Sequence, residues 1–464
     1  MAILSRVRRV YSRQDFDTVA KHAGTVFVGQ LAVMGFGVVD TIVAGRHSEA
    51  SLAALSVGSA IFVTVYVSLM GLLQALLPIW SEMHGARRHA DIGPSLRQSL
   101  YICAIASVIG MVVLFNPEPA LRWTEVPEHL QPMVYDYLAI VGWSLPAALL
   151  FRIFSTLSQA LGRPQLVTLL QAVSLLVKLP LSVWFTFGGF GLAPMGVVGC
   201  AWATFVVNFF LCGIGWWLLY SQSIYAPTQV WRPMERPHTP TLARFAQLGV
   251  PAALSILVEI TSFTLMALYV ARMGNSASAA HQIAANVTAL MYMVPLSLAI
   301  AVSARASYWR GAGDEQRARY VAFMGLFTAV GLAAILSAFV LLARPWIVPV
   351  YTSSPEVAAI ALGLLAWVSV YHLADATQTV SIFVLRSYRI TFTPLLVYCG
   401  LLWGMGLWGG YQLAYQGLGS WGAMQSPIAF WMCAAGALLL AAACFVTLLN
   451  HVTLKAVRHS TSAR

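Results

Sequence analysis

The chain has 464 residues, of which 59% are hydrophobic and only 9% are charged. This balance lies far outside that of a soluble globular protein, so the composition predicts a membrane protein. The formal net charge of +11 is spread over alternating loops. Membrane topology explains such a distribution, and we therefore expect no nucleic-acid partner.

Twelve windows of roughly 20 mostly apolar residues predict twelve transmembrane helices. The windows are centred near residues 33, 65, 105, 146, 175, 207, 257, 293, 331, 370, 402 and 438, and most connections between them are short. The first apolar run is too long for a cleaved signal peptide, so we expect the first span to remain in the protein.

The distribution of basic residues predicts the orientation. If the amino terminus is inside, 22 of the 27 Lys and Arg residues, Arg464 among them, fall on that side, four fall on the other side, and Lys178 lies within a span. Basic flanking residues stay on the cytoplasmic side. We therefore expect both termini in the cytoplasm, and the short loops favour a bacterial inner membrane.

The chain repeats itself at an offset of 226 residues, which predicts two homologous halves. Gly85 matches Gly311 and Arg163 matches Arg389, in equivalent loops. Each half holds six spans, an even number, so both halves enter the membrane from the same side. The predicted fold class is an all-α integral membrane protein with two six-helix lobes related by a pseudo-two-fold axis along the membrane normal.

A stretch rich in proline divides the two halves. Residues 221–242 contain four prolines and no apolar run. The predicted domains are therefore an amino-terminal lobe at 1–220, a cytoplasmic linker at 221–242 and a carboxyl-terminal lobe at 243–464. Two such lobes are the usual architecture of a secondary transporter.

Three carboxylates lie well inside predicted spans, namely Asp40, Glu259 and Asp375. Each costs about 2.5 to 3.5 kcal/mol at the centre of a membrane helix, and intramembrane charges usually mark an ion or substrate pathway. A buried structural pair or a hydrogen-bonded helix contact is the alternative. Helical spacing places four polar residues on the face of Asp375, which are Tyr371, His372, Gln378 and Thr379.

None of the three acids is duplicated at the 226-residue offset, so the two halves share a scaffold but not a site. The six cysteines form no CxxC pair and no Cys/His cluster, and the chain has no GxxxxGK[ST], HExxH or GxSxG motif. We therefore expect no catalytic residues and no bound cofactor.

Several motifs resemble the multidrug and toxic compound extrusion (MATE) transporters, within the NorM-like branch. These motifs are VDTIVAG, LAALSVG, HGARR, ALGRPQ, GVVGCAWAT, PAALSILVEITSF, AAHQIAANV and YHLADATQ. The resemblance covers about residues 20–450. It implies the export of small, amphipathic, often cationic organic compounds in exchange for Na⁺ or H⁺, and we expect a monomer surrounded by lipid.

The resemblance also implies the site residues. It assigns the cation-binding and coupling site of the carboxyl-terminal lobe to Glu259, Asn286, Tyr371 and Asp375, with Na⁺ held at Glu259 and Asp375 if Na⁺ is the coupling ion. It assigns the acid of the first span to Asp40.

Two residues depart from the family pattern. Lys178 stands in the fifth span, near the place where we expect a polar amide, and we hypothesise that it forms an ion pair with Asp40 in an amino-lobe charge site. The alternative is a lysine that reaches the outer interface. His372 stands where we expect an uncharged amide beside Asp375, and it is a candidate proton modulator or an ordinary packing residue.

Two other classes of function remain to be compared. A lipid-linked oligosaccharide flippase has the same general architecture but would be expected to line its cleft with basic residues, whereas three acids and a single lysine lie within these spans. A membrane-embedded enzyme would need a catalytic motif, and none is present.

Overall fold

The computed structural model describes residues 2–123, 126–189, 191–417 and 422–462, and nearly all of them are helical. Within these ranges, twelve helical stretches are long and apolar enough to cross a membrane. This confirms the predicted number of spans and the all-helical class. Arg464, which contributed to the predicted orientation, lies outside the described residues.

The first six spans are built from the following helices: α1 (Ala2–His47), α2 (Glu49–Gln74), α3 (Leu76–Gly85), α4 (His89–Phe115), α5 (Glu118–Trp123), α6 (Gln131–Ala160), α7 (Pro164–Phe187) and α8 (Val197–Ser221). The second span consists of α2 and α3 together. The short α5 lies between the third and fourth spans.

The second half contains α9 (Thr239–Ala271), α10 (Asn275–Gly311), α11 (Glu315–Tyr351), α12 (Pro355–Ser387), α13 (Phe392–Tyr398), α14 (Gly409–Tyr411) and α15 (Ile428–Ser462). The eleventh span is unusual because it contains two π-helical segments, Cys399–Trp408 and Gln412–Gln416, which flank α14. π-Helical turns are rare and occur mostly at functional sites.

Polar caps begin several helices directly after short loops. The Ser48 side chain accepts a hydrogen bond from the Ser51 backbone N–H at 3.0 Å at the start of α2. Asp314 accepts one from the Arg317 N–H at 2.9 Å at the start of α11. Such caps satisfy backbone donors that would otherwise have no partner. A break of one residue before α2 and of three residues before α11 is therefore enough to reverse the chain.

The structure divides into two compact units. One comprises Thr25–Ala253, and the other combines the beginning of α1, up to Gly24, with the chain from Leu254 onward. The predicted boundaries at residues 220 and 243 do not coincide with these units. The contacts of Asp15 and of the linker, described next, give the physical reason.

Asp15 fastens the beginning of α1 within the carboxyl-terminal unit. Its carboxylate is 1% exposed and accepts hydrogen bonds from Arg305 Nε at 2.9 Å, Arg317 Nε at 2.7 Å and Trp309 Nε1 at 3.1 Å. A buried carboxylate needs partners of this kind. A single continuous helix therefore begins in one unit and ends in the other.

The predicted linker is packed against the amino-terminal part of α4. The guanidinium of Arg97 binds both carboxylate oxygens of Glu235, one of them at 2.8 Å, and donates to the carbonyl oxygen of Gln229 at 2.7 Å. Gln98 Nε2 donates to the carbonyl oxygen of Arg236 at 2.9 Å. Because these bonds satisfy the linker backbone, residues 221–242 belong to the amino-terminal unit.

We expect the Glu235 contact to be sensitive to acid. The hydrogen bonds from Arg97 hold the pKa of Glu235 below its ordinary value of 4.5. A lowered folded-state pKa contributes stability that is present above the ordinary value and is lost as the pH falls through the folded-state pKa. The thermal midpoint of wild type should therefore exceed that of Glu235→Gln near neutral pH, and the difference should shrink below pH 4.5.

Glu118→Gln is the matched control, because Glu118 pairs with Arg122 on an exposed helix and such pairs contribute little. A difference between wild type and Glu235→Gln that stays constant as the pH falls would contradict the assigned ion pair.

Close packing of α4 against the linker backbone predicts a strong effect of Gly93→Ala. A Cβ at Gly93 would overlap the carbonyl oxygen of Thr228 and lie 2.9 Å from that of Gln229. Because neither carbonyl can move away cheaply, we expect a loss of about 1–3 kcal/mol in the free energy of unfolding. We also expect faster proteolysis within residues 222–238. Gly213→Ala on α8, where a Cβ meets open space, should cause neither change.

Candidate functional site

An ion pair lies inside the amino-terminal unit. Lys178 Nζ, on α7, is 2.9 Å from Asp40 Oδ2, on α1. Lys178 is 1% exposed, so its side chain points into the protein and does not reach the outer interface. The structure thus brings together the two residues of the hypothesised charge site.

Two further helices complete the environment of this pair. Ser182 Oγ, one turn beyond Lys178 on α7, donates to Asp40 Oδ1 at 3.1 Å. Lys178 Nζ donates to Thr204 Oγ1, on α8, at 2.6 Å. A buried ion pair is tolerated only when such additional hydrogen bonds satisfy its polar atoms. The amino group of Lys178 therefore serves as a built-in cation for Asp40.

Asp375 lies at the centre of a second polar cluster, in the carboxyl-terminal unit. It is 2% exposed on α12, and Gln378 Nε2 donates to its Oδ1 at 3.0 Å. The hydroxyl of Tyr398 donates to Oε1 of Gln378. Gln378 thus holds the carboxylate through one end of its amide while Tyr398 fixes the other end. No basic side chain forms an ion pair with Asp375 among the described residues.

Glu259, on α9, lies close enough to Asp375 for the two carboxylates to interact electrostatically. A cavity of about 30 Å³ adjoins it, with Tyr371 and Met266 in its wall. Leu402 and Gly406, from the π-helical segment Cys399–Trp408, close another side. A space of this size holds one water molecule or one small cation. Neither acid forms an ion pair with a described basic side chain, and two adjacent acids of this kind favour the binding of such a cation.

An aromatic cluster forms the wall behind this cavity. The rings of Phe263, Tyr371 and Trp431 meet edge to face, with centroids 5.6–6.0 Å apart. Trp431 Nε1 donates to His281 Nδ1 at 3.1 Å. Packed aromatic rings in this arrangement have little freedom. They hold the hydroxyl-bearing ring of Tyr371 beside Glu259.

Two of the predicted site residues do not join this cluster. Asn286 is exposed on α10, and its Oδ1 accepts from Gln282 Nε2 at 3.1 Å. His372 is fully buried, but neither ring nitrogen has a hydrogen-bond partner in the part of the chain that the structure describes. Asn286 lies on the face of α10 opposite the buried Ala284 and Thr288. The roles predicted for both residues remain predictions.

Arg386 and Arg152 are among the 22 basic residues that the orientation count assigned to one side of the membrane, whereas the structure buries both within their units. The guanidinium of Arg386 lies 4.5 Å from the ring of Phe383 and within electrostatic reach of Glu259. Arg386 follows Asp375 by eleven residues, three helical turns, and so lies on the same face. The eleven-residue spacing could have predicted that Arg386 lies on the same buried face as Asp375. Counting basic residues by loop hid this, because the count treated Arg386 as a loop residue.

The described residues contain no group of three or more His, Cys, Asp or Glu that could hold a metal ion. The oxygen atoms near the cavity come instead from two carboxylates and from hydroxyl groups. Hard oxygen ligands suit a small cation or a proton better than a transition metal.

Comparison with known proteins places the chain in a family. The family model described as MatE matches twice, at residues 26–184 and 251–408. The chain belongs to the MatE family. The two matches begin 225 residues apart (251 − 26), one in each half, in keeping with the internal repeat.

Curated relatives resemble the chain over most of its length. The probable multidrug resistance protein NorM of Aromatoleum aromaticum is 36% identical over 93% of both chains. The multidrug resistance protein PmpM of Pseudomonas aeruginosa is 32% identical over 90% of this chain and 87% of its own.

Solved structures of MATE transporters share the fold. The eukaryotic MATE transporter AtDTX14 superposes with a TM-score of 0.86 at 16% identity, covering 97% of this chain and 99% of its own. The Vibrio cholerae MATE transporter VcmN, in its bent form, gives 0.82 at 18% identity, covering 97% and 98%. At these identities the likeness concerns the fold alone.

Proposed function

We propose that this MatE-family protein exports small, amphipathic, often cationic organic compounds in exchange for Na⁺ or H⁺. The observation that carries the proposal is the buried Asp375, held by Gln378, beside Glu259 and a cavity of cation size. We infer the coupling role of Asp375 from its charge and its burial, because a buried acid with no fixed counter-ion must obtain a cation from elsewhere. The proposal includes no enzymatic step and no other cofactor.

The names of the relatives support the substrate class. Three of them are called multidrug resistance proteins NorM, PmpM and MdtK, and the first two cover nearly the whole chain. We extend that activity to this protein as part of the proposal. The relatives are bacterial, which supports an inner-membrane location. The proposal also places both termini in the cytoplasm, on the distribution of basic residues, and takes a monomer as the working unit.

The two units have different tasks in this mechanism. In the amino-terminal unit Lys178 already neutralises Asp40, so that acid needs no exchangeable cation. Coupling therefore rests mainly on Glu259 and Asp375. Entry of Na⁺ or a proton stabilises one packing of the carboxyl-terminal unit, and the organic substrate favours the other. Export follows because the two ligands bias opposite states of one conformational equilibrium.

The test uses purified protein in liposomes loaded with a fluorescent organic cation. A Na⁺ gradient or a pH gradient is imposed separately while the membrane potential is clamped, and protein-free liposomes provide the control. Dye movement that depends on one gradient and stops when an ionophore collapses it would establish the exchange and identify its ion.

A rate of dye movement that depends on neither gradient would contradict the proposal. In that case the better-supported function would be that of a flippase. Transbilayer movement of a fluorescent lipid-linked oligosaccharide in the same liposomes would test the flippase function.

A further inference from the structure

Arg152 is a buried base whose charge the described structure leaves without a counter-ion. It lies on α6 and is 6% exposed. Its Nε has no hydrogen-bond partner, and none of the described acidic side chains forms an ion pair with it. An unpaired buried guanidinium is expensive in a low-dielectric interior. A partner from outside the chain would remove that cost.

Further polar groups without partners continue along the same face of α6. Arg152, Thr156 and Gln159 follow one another at intervals of four and three residues, so they form one stripe. Thr156 Oγ1 and Gln159 Oε1 are buried and also have no hydrogen-bond partner. Three unsatisfied groups on a single stripe are unusual, because buried polar side chains are nearly always satisfied.

This stripe faces α2. Leu145, seven residues before Arg152 and on the same stripe, packs with Val65 and Leu69 of α2 around Gly110. Tyr66, the neighbour of Val65, lies close enough to Arg152 for the two groups to interact electrostatically. The half-buried phenol of Tyr66 and the buried guanidinium of Arg152 therefore lie in the same region.

The internal repeat gives this region a counterpart. At the 226-residue offset, Arg152 corresponds to Gln378 and Tyr66 corresponds to Tyr292. Gln378 holds Asp375 in the carboxyl-terminal unit, and Tyr292 lies within electrostatic reach of the same acid. Both halves thus place a tyrosine near the same point of the repeat. One half carries an acid there, whereas the other carries a base.

We propose that Tyr66, Arg152 and Thr156 form an anion site in the amino-terminal unit, the charge-inverted counterpart of the acidic site around Asp375. The guanidinium and two hydroxyls all donate hydrogen bonds, and no acid stands among them. Such a set binds a singly charged anion such as a carboxylate or a halide. The carboxylate of a zwitterionic substrate and free chloride share this chemistry.

The transport arm of the experiment rests on the proposed export function. It compares rhodamine 110, which carries a carboxylate, with its methyl ester rhodamine 123, which carries none, in the liposome assay. If a substrate carboxylate occupies the site, Arg152→Gln should reduce movement of rhodamine 110 by about tenfold or more and leave rhodamine 123 unchanged. Arg152→Lys should recover much of the loss. Arg163→Gln, at an exposed arginine, is the matched control.

The binding arm needs no transport, so it separates this proposal from the export function. Thermal midpoints of wild type and Arg152→Gln are measured in a zwitterionic buffer free of chloride and phosphate, then with chloride, with benzoate and with neutral benzamide. Stabilisation of wild type by chloride alone assigns the site to a free halide. Stabilisation by benzoate but not by benzamide assigns it to a carboxylate.

The proposal is overturned if neither anion stabilises wild type. It is also overturned if Arg152→Gln and Arg163→Gln respond alike to every anion and transport both dyes alike. If Arg152→Gln fails to fold, the test uses Arg152→Lys and the change in the thermal midpoint of wild type on addition of each anion. An export assay that fails while an anion still stabilises wild type would contradict the proposed export and leave the anion site in place.

Discussion

Lys178→Met should destabilise the amino-terminal unit by about 3–5 kcal/mol, because it leaves the Asp40 carboxylate buried without its counter-ion. The 2.9 Å contact with Lys178 is the one ion pair of Asp40 in the described part of the chain. The Ser182 and Thr204 hydroxyls that remain cannot replace a full charge. The measurement is the free energy of unfolding of the purified protein in mixed micelles.

The double variant Asp40→Asn with Lys178→Met is the decisive control. It removes both charges together, so we expect it to regain most of the stability that the single variant loses. Replacing both members of a buried pair by neutral groups is often nearly neutral, and neighbouring residues give non-additive effects. Strictly additive losses would show that the two residues do not act as a pair.

The same variants report on function. If Lys178 is the permanent counter-ion of Asp40, the folded double variant should keep its dependence on the Na⁺ or pH gradient. A double variant that is stable but has lost that dependence would instead assign the coupling ion to the amino-terminal unit.

Asp375→Asn should reduce gradient-driven transport by about 10- to 100-fold while the protein remains folded. The asparagine keeps the size of the side chain and can still accept a hydrogen bond from Gln378, but it carries no charge for a cation. Losing one interaction with a charged partner costs about 1.5–3 kcal/mol, and each 1.4 kcal/mol is tenfold. The initial rate of dye movement in liposomes measures the effect.

Ser381→Ala provides the matched control on the same helix. Ser381 is buried, but its hydroxyl donates to the backbone carbonyl of Thr377 at 2.7 Å, so its removal should leave the rate nearly unchanged. Glu259→Gln should also reduce the rate, since Glu259 lines the cavity. A gradient-driven rate in Asp375→Asn equal to that of wild type would exclude Asp375 from coupling.

The fold class could be predicted because the signals for spans are local. Runs of apolar residues, the basic residues that flank them and the offset between the halves can all be read along the chain. The acids at Asp40, Glu259 and Asp375 stand out for the same reason, because a carboxylate in an apolar run is costly wherever its helix packs.

Helix rotation was harder to predict. In a membrane helix the faces toward lipid and toward protein are about equally apolar, so the pattern of apolar residues does not reveal which face is buried. Asn286 illustrates the limit, because its place in the eighth span was clear but it lies on the exposed face of α10. Arg152 and Arg386 show the opposite case. Both lie near the end of a span, where a basic residue is expected to be exposed, but the structure buries them.

By itself, the sequence determined that this protein is a twelve-span membrane protein of two related halves, with three acids in apolar runs. Only the tertiary structure decided which partner each charge finds. It pairs Lys178 with Asp40, Gln378 with Asp375 and Arg97 with Glu235, and among the described residues it provides no counter-ion for Arg152. The physical reason is that the cost of placing a charge in a membrane depends on its own segment, whereas the compensation comes from helices distant in the chain.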